Sequence, residues 1–86
     1  MIPGRWFVTP HAVRRYQQRM RPDLSYERAL ADLIHLSQRA HFVRADDDGY
    51  ELWRCGRPER YRFVVAPALP GQLPALLTLY GGHDAS

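Results

Sequence analysis

The sequence predicts an α+β fold: a short N-terminal strand, then two helices packed on one face of a three- to five-stranded antiparallel meander sheet. Two observations predict it. Between Thr9 and Arg39, apolar residues recur at spacings of three and four, the period of a helix with one buried side. After His41 the pattern changes to alternation broken by Asp, Gly and Pro clusters, as in short strands joined by turns. Neither layer can bury its apolar side alone, so the helices must cover one face of the sheet. A chain of 86 residues has the length of one domain, here 1–86, with a thin core.

The elements follow in order. Arg5 to Val8 is an apolar-rich run with the character of an edge strand. Thr9 and Pro10 then supply an N-cap and a first helical position. Ala12, Val13, Tyr16 and Met20 share one face, which predicts a helix from Pro10 to about Arg21, stopped by Pro22. Ser25 caps the second helix, with Leu24 and Ala29 placed as a hydrophobic staple. Its inner stripe is Tyr26, Leu30, Leu33, Ile34 and Ser37, and it ends near Arg39.

His41–Ala45 and Tyr50–Cys55 are strands joined by Asp46-Asp47-Asp48-Gly49, since Asp-Gly readily adopts the positive φ of a tight turn. Gly56-Arg57-Pro58-Glu59 is a second turn, Arg60–Ala66 a third strand and Leu76–Tyr80 the last, followed by a frayed tail from Gly81. The expected core is Leu30, Leu33, Ile34, Phe63, Val65 and Leu77.

Composition excludes several classes of chemistry. All twelve basic residues are arginine, so no lysine serves as a base, a Schiff-base amine or a phosphate ligand. One cysteine, Cys55, permits no internal disulfide. There is no signal-peptide pattern and no apolar run of membrane-spanning length, so the expected location is the cytoplasm. His35 and His41 lack the spacing of zinc ligands, and the Asp46–Gly49 run lacks the alternate spacing and terminal glutamate of a calcium loop. No metal, cofactor or catalytic set is expected.

The net charge of +3 is unevenly spread. Arg5, Arg14, Arg15, Arg19 and Arg21 precede the first acid, and all nine acids follow residue 22. Such asymmetry favours an anionic partner near the N-terminus. On the first helix, His11, Arg15 and Arg19 form an outer stripe with Arg14 and Gln18 beside it; arginine forks suit phosphate or carboxylate oxygens, and glutamine bonds base edges or amides. A second group, Arg60 and Arg62 with Arg54 and Arg57, interleaves with Trp53, Tyr61 and Phe63. Alternation puts Arg60 and Arg62 on one sheet face and Tyr61 and Phe63 on the other. The candidate binding residues are therefore His11, Arg14, Arg15, Gln18, Arg19, Arg60 and Arg62.

The segment from Thr9 to Arg19 has the form T-x-H-A-x-x-R-x-x-x-R, matched at Thr9, His11, Ala12, Arg15 and Arg19. It resembles the opening helix of small prophage and toxin-like proteins related to the RelE/BrnT-like class. That resemblance implies a strand–helix–helix–meander order and either ribonuclease action on mRNA or a non-catalytic inhibitory role. Relatives place reactive residues on different strands, so no catalytic residue carries over, and the lysine used by many such ribonucleases is absent from this chain.

The expected function is a small basic binding or inhibitor protein acting on nucleic acid or on a nucleic-acid-handling machine, as a phage-type inhibitor of host defence such as an anti-CRISPR protein would. The alternative is a RelE/BrnT-like toxin ribonuclease. A third reading is a protein–protein module docking through Trp6, Tyr26 or Trp53. The expected partner is nucleic acid or a protein of a nucleoprotein complex, with no membrane and with room for a homodimer.

Overall fold

In a computed structural model, residues 5–56 and 61–81 are described. They form β1 (Phe7–Val8), α1 (Pro10–Arg19), α2 (Tyr26–Arg39), β2 (His41–Ala45), β3 (Glu51–Cys55), β4 (Tyr61–Ala66) and β5 (Ala75–Gly81). The fold is α+β, with two helices and a five-stranded open sheet in the order β1-β5-β4-β3-β2. The second predicted turn from Arg57 to Glu59, the predicted strand start at Arg60, and the tail after Gly81 lie outside the described residues. Gly81 itself ends β5 and is not part of a tail.

β2 to β5 form the expected antiparallel meander. β1 does not join it in that sense. It pairs parallel with β5, Phe7 opposite Ala75 and Val8 opposite Leu76, so the sheet is mixed. The reason is the path of the chain: the two helices carry it to the far edge of the sheet, and the meander returns to β1 running in the same direction. The Phe7 amide donates to the Pro74 carbonyl at 2.8 Å, which fixes the register at the start of β5.

Both helices begin at the caps the sequence signals. The Thr9 hydroxyl accepts from the Ala12 amide at 3.2 Å and donates to the Leu76 carbonyl at 2.8 Å, so one side chain caps α1 and ties it to β5. The Ser25 hydroxyl accepts from the Arg28 amide. α1 ends at Arg19, earlier than the expected Arg21, because the Met20 and Arg21 amides both bond back to the Tyr16 carbonyl. The Tyr16 hydroxyl donates to Asp32 of α2 at 2.7 Å, and the Gln17 amide donates to the Leu24 carbonyl in the connection between the helices at 3.0 Å. Burial, aided by the bond to Asp32, raises the Tyr16 hydroxyl well above the ordinary tyrosine range.

The core lies between the helices and one sheet face. Ala12, Val13 and Tyr16 from α1 and Ala29, Leu33 and Ser37 from α2 meet Phe63, Val65, Leu76 and Leu79. The buried Ser37 hydroxyl is satisfied by the Ile34 carbonyl at 2.6 Å. Trp6 is buried in this core, its ring 5.4 Å from those of Trp53 and Phe63, and so offers no docking surface. Of the expected core, Leu33, Phe63 and Val65 are fully buried, while Leu30 and Ile34 pack at its margin. Tyr26 is 39% exposed and leaves the inner stripe, since it stands in the first turn of α2 with Ala29 taking the buried position.

Leu77 also departs from expectation. The register of β4 against β5 shifts between Val64 and Val65, which stand opposite Thr78 and Leu76. Leu77 is the extra residue of a β-bulge. Leu76 and Leu79 therefore both face the helices, three positions apart, and Leu77 is displaced to the half-buried margin.

Candidate nucleic-acid interface

The helices cover only one side of the sheet. Alternation assigns the other side from the same registers. Directly across four strands stand His41, Arg54, Arg62 and Tyr80. A neighbouring row is Arg44, Leu52, Val64 and Thr78. Adjacent strands lie about 4.8 Å apart, so each row spans roughly 14 Å. His41, Arg44, Arg54, Arg62 and Tyr80 are exposed, and Leu52, Val64 and Thr78 are half-buried. No Asp or Glu occurs in either row.

The acids of this region stand outside those rows, at the β2–β3 hairpin end. Glu51 stands opposite Val65, on the helix-facing side of β3, and its carboxylate accepts from the Trp53 indole at 2.9 Å. Asp46 closes the β2–β3 turn: one carboxylate oxygen accepts from the Asp48 and Tyr50 amides at 2.9 and 3.0 Å, while Gly49 adopts φ +90°. A shallow concavity of about 220 Å³ is lined by Arg44, Tyr50, Leu52 and Val64, with Asp46 and Glu51 at its hairpin end. The face is therefore apolar at its centre, carries Arg54 and Arg62 in register along one side, has Asp46 and Glu51 at its hairpin end, and is edged by Tyr50 and Tyr80, each 41% exposed.

Such a face suits a polyanion with flat rings. Arginines in register, Arg54 opposite Arg62, concentrate positive potential. Exposed tyrosines offer surfaces on which bases stack. Of the residues the sequence singled out, Arg54 and Arg62 belong to this face, and Arg57 and Arg60 lie outside the described residues. His41, Arg44 and Tyr80 were missed: His41 and Arg44 lie on β2 and Tyr80 on β5, and only the register brings them to the face of Arg62.

The α1 residues occupy the other layer. His11, Arg14, Gln18 and Arg19 are exposed. Arg15 is half-buried, and its Nε is covered without a hydrogen-bond partner. It departs from the expected outer stripe: it stands mid-helix, about 70° around from the direction of His11, Arg14 and Gln18, whereas Arg19, turned further, is exposed because it ends the helix. Arg21 is engaged with Asp23 through two bonds of 3.2 and 3.1 Å. Cys55 is buried, and that burial raises its thiol. Among the described residues, no three His, Cys, Asp or Glu side chains gather to hold a metal ion, and no helix is long and apolar enough to cross a membrane.

Comparison with known proteins adds no family to this geometry: no family model, no curated protein and no solved structure matches the chain.

Proposed function

We propose that this protein is a small nucleic-acid-binding protein whose open sheet face holds a single strand, with Arg44, Arg54 and Arg62 on phosphates and Tyr80 stacked on a base. The observation that supports it is the acid-free row His41–Arg54–Arg62–Tyr80 on the face the helices leave uncovered. A solvated sheet face in a chain with nine acids would ordinarily mix the two signs. This reading retains the inhibitor role: a protein that occupies a single strand blocks any machine that must read or cut it.

The test is a fluorescence-anisotropy titration of short single-stranded RNA and DNA against the wild type, Tyr80→Ala and Arg62→Ala. Each substitution should weaken binding by roughly five- to a hundredfold, from a lost stack or charge-assisted contact of about 1–3 kcal/mol. The recovered RNA is then sized. Intact RNA fits a binder, and metal-independent cleavage abolished by His11→Ala would instead establish a ribonuclease that uses the His11 imidazole of α1 for acid–base phosphodiester chemistry. Unaltered affinity in both variants would remove the sheet face from the account.

A further inference from the structure

α1 presents a second cationic surface, on the layer opposite the open sheet face. Its outward line is His11, Arg14 and Gln18; Arg19 is exposed in the last turn but lies about 140° around the helix from Arg14. The helix holds no acid. Among the described residues, no ion pair or hydrogen bond engages the side chains of Arg14 or Arg19. The two surfaces also differ in chemistry. The sheet face offers tyrosines and an apolar centre, which suit splayed bases. The outer line of α1 carries no Tyr, Phe or Trp and offers only guanidinium, imidazole and amide groups. Those groups suit backbone phosphates and the groove edge of a duplex whose bases stay stacked.

A core of fully buried side chains separates the surfaces, including Ala12 and Val13 beneath α1 and Phe63 and Leu79 in the sheet. A ligand on one surface therefore does not occupy the other. We propose that the outer face of α1 binds the phosphodiester backbone of a duplex while the sheet face holds a single strand, so that one molecule bridges two nucleic-acid segments. This rests on the sheet-face reading given above.

The experiment immobilises a biotinylated duplex on beads and measures capture of a labelled single strand by the full chain. RNA and DNA versions of each ligand are run as separate arms. The wild type should capture the single strand only when duplex is present. Arg14→Ala/Gln18→Ala should lose duplex affinity by roughly tenfold or more, as expected for a charge-assisted phosphate contact and a groove-edge hydrogen bond, and should lose capture while still binding single strand in solution. Arg44→Ala/Tyr80→Ala should keep duplex binding and lose capture. Circular dichroism of both variants checks that the fold persists. Competition between duplex and single strand for the wild type overturns the bridge alone. Wild-type duplex affinity in Arg14→Ala/Gln18→Ala also overturns it, as does capture by that variant, which would place bridging in a dimer. Failure of the wild type to bind single strand without duplex present removes the sheet-face reading, while its duplex affinity still reports on α1.

Discussion

Replacing Leu76 by Ala should cost far more stability than replacing Leu77, although the residues are neighbours of the same type. Leu76 is fully buried opposite Val65, and its carbonyl receives the Thr9 hydroxyl and amide at 2.8 and 3.3 Å. Leu→Ala removes three carbons, about 2.4 kcal/mol of transfer free energy at about 0.8 kcal/mol each. The cavity left among packed neighbours brings the expected loss to about 3–4 kcal/mol. Leu77 is the bulged residue and only half-buried, so its truncation should cost about 1 kcal/mol. In a domain of this size, about 1 kcal/mol moves Tm by roughly 4–8 °C, so the two variants should separate by 8 °C or more on the same order-of-magnitude scale. Urea unfolding followed by tryptophan fluorescence is the assay, since Trp6 and Trp53 lie in one aromatic cluster with Phe63. Equal losses, or a larger loss for Leu77, would mean that β5 alternates without a bulge and that Leu77 and Leu79 face the core together.

Three further outcomes follow from the same packing. Thr9→Ala should lose about 1–2 kcal/mol by removing both the cap and the tie to β5, whereas Thr9→Ser should retain most of it; urea midpoints separate them. Gly49→Ala should lose about 1–2 kcal/mol, because φ +90° strains any residue with a Cβ, while the added methyl meets Pro67 only at ordinary contact distance; its urea midpoint should fall at unchanged slope. Tyr16→Phe should flatten the fall in stability at alkaline pH. The folded protein holds the Tyr16 proton more tightly than the unfolded chain, so its contribution is complete below the ordinary tyrosine value of about 10 and is lost as pH rises above it. Cys55 titrates in both proteins, so the difference between unfolding curves at pH 8 and pH 11 isolates Tyr16. A wild-type curve no steeper than the variant's would contradict the assignment.

The helices were legible because their signals are local. Thr9-Pro10 and Ser25 start them where expected, and the buried Ala12, Val13 and Tyr16 follow the helical period. The strand positions from His41 onward were legible for the same reason. What was not legible depends on pairing between distant segments. The parallel partner of Phe7 is Ala75, far along the chain, and no local pattern announces it. The bulge at Leu77 is a property of two strands together, and without it simple alternation misplaces that leucine. The open face was hidden likewise. Arg54 and Arg62 were singled out together from the sequence, but His41 and Tyr80 become their neighbours only through the registers of β2 with β3 and of β4 with β5. The outward turn of each α1 residue was readable in outline, yet Arg15 sits close enough to the sheet side to be half-buried.

The central claim, that the uncovered sheet face holds single-stranded nucleic acid through its arginines, is tested most directly by the salt dependence of that binding. Affinity for a single-stranded oligonucleotide is measured at several salt concentrations for the wild type and Arg44→Ala/Arg62→Ala. Each phosphate contact contributes a slope of about −0.7 in log affinity against log salt, so three arginines predict roughly −2 for the wild type. The double variant should retain a slope of roughly −0.7, with affinity reduced most at low salt. Parallel lines of equal slope, or no loss of affinity at low salt, would show that these arginines do not meet phosphates.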